Sequence, residues 1–269
     1  MLSAIRTVIT EVVANLKRTW RLARYEKRAK NSQSLLGNLW EILNPLLNIL
    51  VYWFVFSVGL RTSAGTDVNY PYAVWLICGI IPWLTISGAM TQSSSSITSA
   101  SGLIKTCNIP LSMYPLKCVV HGLISHLFSL VVLAAVIIIA GIPLTWHVLE
   151  IVYYTLAMLL FLLGFALVAS TISVFFNDLQ KLLPPILRLL MYASSVVLNI
   201  NQYSPDLQFI MRLNPMVHLV EGIRFSLLDG KGLMTHPESF ISFWVATVVL
   251  FALGCWMHVR TREQFIDVL

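Results

Sequence analysis

Four cations crowd the end of the N-terminal segment, Arg24, Lys27, Arg28 and Lys30, with Trp40 a few residues on. Guanidinium and ammonium groups at this density can receive an anionic headgroup such as a pyrophosphate, because charge-assisted bonds to phosphate oxygens are strong. The same cluster equally suits a helix anchored on anionic lipid, and the residues alone leave both roles open. A second polar pair, Glu221 and Arg224, stands three apart and can meet on one helix face. His218 shares that face with Glu221, but a zinc site needs a third ligand that its neighbourhood does not supply. His121 and His126 are five apart and share a face poorly, so they read as core or interface histidines rather than a proton relay. The chain has no GxxxxGKS/T phosphate loop, no GxGxxG, no HExxH and no GxSxG. It cannot hydrolyse ATP by itself, and neither catalytic nor metal-ligating residues are expected in it.

The elements that must position these residues are apolar. Of 269 residues 57% are hydrophobic and 11% charged, with a mean hydropathy of +0.78. A soluble domain keeps about 25% charged residues to wet its surface, so this deficit predicts an all-α polytopic membrane protein. Windows of about 20 apolar residues, enough to cross the hydrocarbon, fall near Trp40–Leu60, Tyr72–Met90, Lys117–Ala140, Leu149–Phe176 and Phe240–His258. The stretch from Pro185 to Asn199 is shorter and carries Arg188, which can snorkel, and counts as a sixth span. One transmembrane domain, 1–269, results. Residues 1–38 form a cytoplasmic amphipathic helix, 39–200 hold spans one to five, 201–239 form an outer segment, and 240–260 are span six.

Six spans place both termini on one side, and that side carries fourteen of the eighteen Lys and Arg residues. The positive-inside rule makes it cytoplasmic, so a multi-pass membrane protein with both termini in the cytoplasm is expected. The net charge of +6 is therefore a topology signal, not a nucleic-acid footprint. Cys78, Cys107, Cys118 and Cys255 lie in spans or on the reducing side, without CxxC spacing, so disulfides and structural zinc are not expected.

Ile5, Ile9, Val12, Leu16, Trp20 and Ala23 form an apolar stripe at helical spacing, opposite Lys17, Arg18, Arg21, Arg24 and Arg28. This predicts a basic helix in the membrane interface. Between spans two and three, Leu103–Asn108 can form a short inward helix that the restriction Pro110 places on Ile109 would close. Between spans four and five, Asn177 or Asp178 can cap a turn that the double proline Pro184-Pro185 leads into the next span.

The outer segment from Asn201 to Ser239 is too long for a connector and too apolar for a loop. Ser204-Pro205 and Asn214-Pro215 each place a capping residue before proline, the order that starts a helix, and Gly230 suits a stop. The runs Asp206–Leu213 and Met216–Leu228 are too short to cross, so two re-entrant or interfacial helices are expected at the outer mouth of a pathway. In the fourth span Gly164, Ala166 and Ser170 permit close helix approach. Aromatic residues, dense in the first two spans, are compatible with an interfacial belt and with a sugar path.

The arrangement of an interface helix, six spans, an inward helix before Pro110 and outer helices around Leu213-Asn-Pro215 resembles the permease subunit of type 2 ABC exporters over essentially the whole chain. Leu39-Trp-Glu-Ile-Leu-Asn-Pro45, Val51-Tyr-Trp-Phe-Val-Phe56, Gly79-Ile-Ile-Pro-Trp83, Asn199-Ile-Asn-Gln202 and Val220-Glu-Gly-Ile-Arg224 are similar, more narrowly, to wall teichoic acid translocation permeases. The first and last of these motifs are common to polysaccharide exporters, so O-antigen or capsule export is the alternative. The resemblance implies a homodimer joined by two separately encoded ABC ATPase subunits that bind ATP and magnesium, with no cofactor in this chain. It implies a lipid-linked anionic glycopolymer, carried on undecaprenyl pyrophosphate, as substrate. Carried over by motif, Leu103, Ile104, Lys105, Asn108, Ile109 and Pro110 form the main ATPase-coupling helix, and Asp178 to Leu183, with Lys181, the minor one. Asn108-Ile-Pro-Leu111 departs from the Phe-Pro-Arg-like sequence often found there, which puts individual contacts in doubt. Arg24, Lys27, Arg28, Lys30 and Trp40 would form the headgroup entry, and Pro205, Asn214, Pro215, Glu221 and Arg224 the outer gate. An ion-coupled transporter would instead show an inverted repeat and buried carboxylates, and a lipid-processing enzyme would need convergent catalytic groups.

Overall fold

The computed structural model describes residues 1–32, 35–55, 71–106 and 109–268; for residues 30–32, 38, 41, 42, 45, 53, 106, 266 and 267 it describes the backbone alone. Among the described residues every regular element is helical. The helices run α1 Leu2–Ser32, α2 Trp40–Trp53, α3 Tyr72–Ser94, α4 Ser101–Thr106, α5 Met113–Ile139, α6 Glu150–Phe175, α7 Leu179–Ala193, α8 Pro205–Arg212, α9 Pro215–Arg224, α10 Pro237–Thr261 and α11 Phe265–Val268. Among the described residues four helical segments are long and apolar enough to cross a membrane: α3, α5, α6 with its leading turn from Trp146, and α10.

Central α3 packs against α5, α6, α7 and α9, and most of its residues are buried. By contrast, α5 and α10 keep broad exposed apolar faces, including Val131, Ile138, Val245 and Val248. Such faces are at equilibrium in lipid, where exposed Leu and Val cost nothing. α6 and α10 cross closely. A Cβ on Gly164 would lie 2.8 Å from the Phe251 nitrogen, and one on Gly254 would lie 2.9 Å from the Gly164 carbonyl oxygen. Glycine at both positions lets backbone meet backbone, the close approach expected for Gly164.

α1 lies across the bundle, although its packed face is not the stripe of large apolar residues. Ala4, Val8, Asn15, Thr19, Ala23 and Lys27 are buried, whereas Ile9, Leu16 and Trp20 are 46%, 50% and 39% exposed. Small and polar residues let α1 sit close, with Val8 against Leu167 of α6 and Cys255 of α10, and Ala23 against Leu116 and Val120 of α5. Of the predicted stripe, Ile9, Leu16 and Trp20 face away, while Ile5, Val12 and Ala23 pack against the bundle.

The fifth predicted span, Pro185–Asn199, differs most. The helix there begins earlier, at Leu179, takes Pro184 and Pro185 inside it, and stops at Ala193. The expected separate turn at Asp178–Leu183 is thus the start of α7. The early stop has a physical cause. Ser195 takes a left-handed conformation (φ 57°), and the carbonyls of residues 193 and 195–197 bond to side chains of other elements instead of to a further helical turn.

α8 and α9 begin where the sequence places them. Pro205 and Pro215 are the first residues of α8 and α9, and the Asn214 side chain accepts from the Met216 nitrogen at 3.1 Å. A wide turn, Phe225–Asp229, continues α9 to Gly230, whose φ of 60° is the left-handed stop.

Candidate functional site

Three constellations stand out: one between α1 and α5, one around α4 and the start of α7, and one at the opposite end of α7. The first is a groove between α1 and α5. Its volume is about 520 Å³. Trp20, Arg24, Lys27 and Arg28 form one wall, and Ile124, Leu127, Phe128 and Val131 form the floor. The i, i+4 spacing puts Trp20, Arg24 and Arg28 on one side of α1. Arg24 and Arg28 are exposed. Lys27 is 8% exposed, and its Nζ donates to Ser125 Oγ at 3.3 Å and lies 5.7 Å from the Phe128 ring centroid. Cations above an apolar floor suit an amphiphile with an anionic head. Trp40 begins α2 and is not among the lining residues; Trp20 supplies the aromatic wall. The side chain of Lys30 lies outside the described residues.

Two carboxylates that the sequence reading passed over hold α1 in place. Glu11 accepts from Ser112 Oγ at 2.7 Å and from Arg262 Nη1 at 3.1 Å, joining α1 to the start of α5 and the end of α10. Glu26 pairs with Lys117 at 2.9 Å. Single acidic residues on a basic helix carry no spacing signal, and their partners are 101 and 91 residues away in sequence.

The second constellation is the surface around α4. Pro110 follows the short helix as expected; the helix begins at Ser101, two residues before the expected Leu103, and is described to Thr106, with Cys107 and Asn108 outside the described residues. Leu103 is 49% exposed and Lys105 is exposed, while Ile104 and Ile109 turn toward a small core of Ile97, Ala100, Tyr114, Val174 and Phe265. Pro110 is partly buried beside them. Gln180 at the start of α7 donates to Thr98 Oγ1 at 2.9 Å, just ahead of α4, and to Asn177 Oδ1 at 2.8 Å. The joint between α3 and α5 and the joint between α6 and α7 are therefore one surface. Asp178 and Lys181 pair at 3.3 Å on its exposed side. Phe265 of α11, fully buried, closes this core against Phe175 and His258.

At the opposite end, Asn214, Glu221 and Arg224 converge on the end of α7. Asn214 Nδ2 donates to Ser194 Oγ at 2.9 Å and to the Ala193 carbonyl at 3.3 Å. Glu221 accepts from Ser195 Oγ at 2.9 Å. The Arg224 guanidinium, 3% exposed, donates to the carbonyls of Trp75 at 3.0 Å, Val196 at 2.7 Å and Ser195, and stacks 3.4 Å from the Trp75 ring centroid. Gly79 leaves the space that the guanidinium fills. Glu221 and Arg224 thus meet on Ser195, whose hydroxyl is within 3.5 Å of Arg224 Nη1. Pro215 starts the helix carrying these groups, whereas Pro205 is exposed.

His218 does not face Glu221 as a ligand: its Nε2 is 3.2 Å from Tyr153 Oη, which accepts from Trp244 Nε1 at 3.0 Å. Among the described residues no group of three His, Cys, Asp or Glu could hold a metal. Arg212 of α8 pairs with Glu238 at 2.8 Å and bonds to His236 Nδ1, fastening α8 to the start of α10. Burial and the Arg212 charge hold the His236 imidazole below the usual histidine range. His126 is buried between Thr85 Oγ1 at 3.1 Å and Thr155 Oγ1 at 3.5 Å, a helix-packing role.

Among the described residues, four helices long and apolar enough to cross a membrane, joined and flanked by shorter helices, define a polytopic helical bundle. The ABC-2 type transporter family matches residues 10–228, and the chain belongs to that family. It is similar to the O-antigen export system permease protein RfbA of Myxococcus xanthus, with 27% identity covering 91% of this chain and 93% of the relative. The polysialic acid transport protein KpsM of Escherichia coli is 24% identical, covering 89% and 91%. The inner membrane transport permease YadH of Escherichia coli K12 is 22% identical, covering 81% and 87%.

Proposed function

We propose that this chain is the membrane subunit of an ATP-driven exporter of a lipid-linked polysaccharide of the O-antigen or capsule class. It works as a homodimer with two ABC ATPase subunits, which bind ATP and magnesium. Relatives named for O-antigen and polysialic acid favour this substrate class over the teichoic acid reading. α2, whose apolar sequence runs on to Leu60, and α7 complete six spans in this reading. Both termini then face the cytoplasm, α4 and the start of α7 meet the ATPase, and α8 and α9 re-enter the membrane from outside and close the path.

The observation that carries the reading is the α1–α5 groove, with cations above an apolar floor. Moving a diphosphate past hydrocarbon without partners costs several kcal/mol or more per charge, so a cationic entry beside the lipid is needed. Arg24 and Arg28 supply it with exposed guanidinium groups, and Lys27 lies between them. The test is ATPase turnover of the reconstituted complex with and without lipid-linked saccharide. Arg24→Gln with Arg28→Gln should lower the stimulation more than the turnover without substrate. An equal fall in both would make α1 a surface anchor and sink the entry assignment.

A further inference from the structure

The groove has a neighbour of different chemistry. On the other side of Lys27, between α1, the last turn of α3 and the start of α5, lies a cavity of about 270 Å³. Lys27 lines both spaces and forms the partition between them. At about 30 Å³ per water the cavity has room for about nine waters, the scale of one pyranose ring with its hydroxyls rather than a chain of them.

Its walls are polar, and beyond the Lys27 partition the charges of Glu26 and Lys117 offset one another. Glu26 and Lys117 pair across one side at 2.9 Å, and His121 and the exposed Gln92 amide stand nearby. The α3 side is a run of hydroxyls with one feature in common. Ser95 Oγ donates to the Gln92 carbonyl at 3.3 Å, Ser96 Oγ to the Ser93 carbonyl at 2.8 Å, and Ser99 Oγ to the Ser96 carbonyl at 3.5 Å. A serine hydroxyl has one proton, and each of these gives it to the backbone three residues back. What remains for the cavity is lone pairs. An array of acceptors beside a neutralised ion pair is poorly matched to an anion and well matched to an uncharged ligand that donates many hydrogen bonds.

We infer that this cavity receives the sugar joined directly to the diphosphate of the lipid-linked substrate. The order of environments along the protein is apolar floor, then cations, then hydroxyl acceptors. The order of groups along such a substrate is prenyl chain, then diphosphate, then first sugar. Lys27 stands at the junction of the last two, where the bond between phosphate and sugar would lie. Ser99 belongs to the turn that leads into α4, so the sugar would rest against the same segment that carries the exposed α4 surface. The inference rests on the headgroup reading of the α1–α5 groove, and it adds recognition of the reducing-end sugar, independent of the polymer beyond it.

The test compares three probes on the purified chain in lipid nanodiscs by calorimetry: farnesyl diphosphate, its N-acetylglucosaminyl ester, and the lipid-free sugar nucleotide UDP-N-acetylglucosamine. The sugar-bearing lipid should bind about tenfold more tightly than the sugarless one, the effect of a few net hydrogen bonds. Ser95→Leu with Ser99→Leu should fill the cavity, remove that advantage and leave the farnesyl diphosphate affinity in place. Gln92→Ala, at an exposed position, should reduce the advantage without filling anything, which guards against misfolding of the double variant. Equal affinity of the two lipids for the unmodified chain, or an undiminished advantage in these variants, overturns the sugar site. Binding of the sugar nucleotide as tight as that of the sugar-bearing lipid overturns it too, by making the cavity a nucleotide-sugar site. Failure of Arg24→Gln with Arg28→Gln to weaken either lipid probe would instead overturn the headgroup reading beneath it.

Discussion

Replacing Arg224 by methionine should release the end of α7 from α3 and α9. Its guanidinium holds the carbonyls of Trp75, Ser195 and Val196 while stacking on Trp75. Trp75 lies inside α3, so its carbonyl keeps a helical partner when the arginine is lost. Ser195 and Val196 follow the end of α7 and are themselves buried, so their carbonyls have no such reserve. A buried acceptor left unmet costs about 1–3 kcal/mol, and loss of the cation over the indole adds about 1–2 kcal/mol, giving roughly 3–8 kcal/mol for Arg224→Met. Lysine restores the charge but not the planar fork that reaches three carbonyls, so Arg224→Lys should recover only part of this. At about 2–4 °C per kcal/mol for a chain of this size, the methionine variant should melt at least about 6 °C lower in detergent, with lysine in between. The assay is thermal unfolding followed by tryptophan emission, which Trp75 reports directly. A methionine variant melting within about 1 °C of the parent would refute the reasoning, since a guanidinium with three carbonyl partners cannot then be holding the fold.

At α4, Leu103→Asp should lower substrate-stimulated ATP turnover of the complex with little change in melting temperature, because Leu103 is exposed, whereas Ile104→Asp should destabilise the isolated chain by about 2 kcal/mol by setting a carboxylate against a packed core. Loss of stability in both, measured by melting, would deny that the two residues have different roles. Gly164→Leu should force α6 from α10 and cost about 1–3 kcal/mol, read as a lower yield of monodisperse protein. The His236 imidazole is held below its ordinary value by burial and Arg212, with Glu221 and Glu238 opposing, so the neutral form is the folded one. Its contribution is complete above the unfolded value of about 6.5 and is lost as pH falls below it. Melting temperature should therefore fall less between about pH 7.5 and about pH 5.5 in His236→Gln than in the parent, and an identical fall would remove His236 from the account.

What could be read in the sequence was local. A capping residue before proline marks a helix start whatever surrounds it, so Pro205, Pro215 and the stop at Gly230 fall where the residues indicate. Hydropathy likewise finds α3, α5, α6 and α10, because each is apolar over a length that lipid sets. What could not be read depends on partners distant in sequence. The early stop of α7 follows from Tyr72, Asn214 and Arg224 taking its last carbonyls. In α1 the burial of small and polar residues instead of Ile9, Leu16 and Trp20 follows from close contact with three helices. Apolar periodicity cannot tell a face that meets lipid from one that meets protein, since both are free of charge.

The same ambiguity explains why Leu103 and Ile104 looked alike. Both are apolar neighbours on a short helix, yet one is presented and the other is attached. The attachment reaches α5 through Tyr114, α6 through Val174 and α11 through Phe265, while Gln180 ties the turn before α4 to the start of α7. A load applied to the exposed side of α4 therefore bears on four helices at once. At the far end of α7, Asn214, Glu221 and Arg224 join the close of that helix to α9, and Arg224 joins it to α3. α7 is only 15 residues long and is gripped at both ends by polar bonds rather than by apolar packing alone, so a displacement at its start must either bend it at Pro184 and Pro185 or be delivered to α9 and α3.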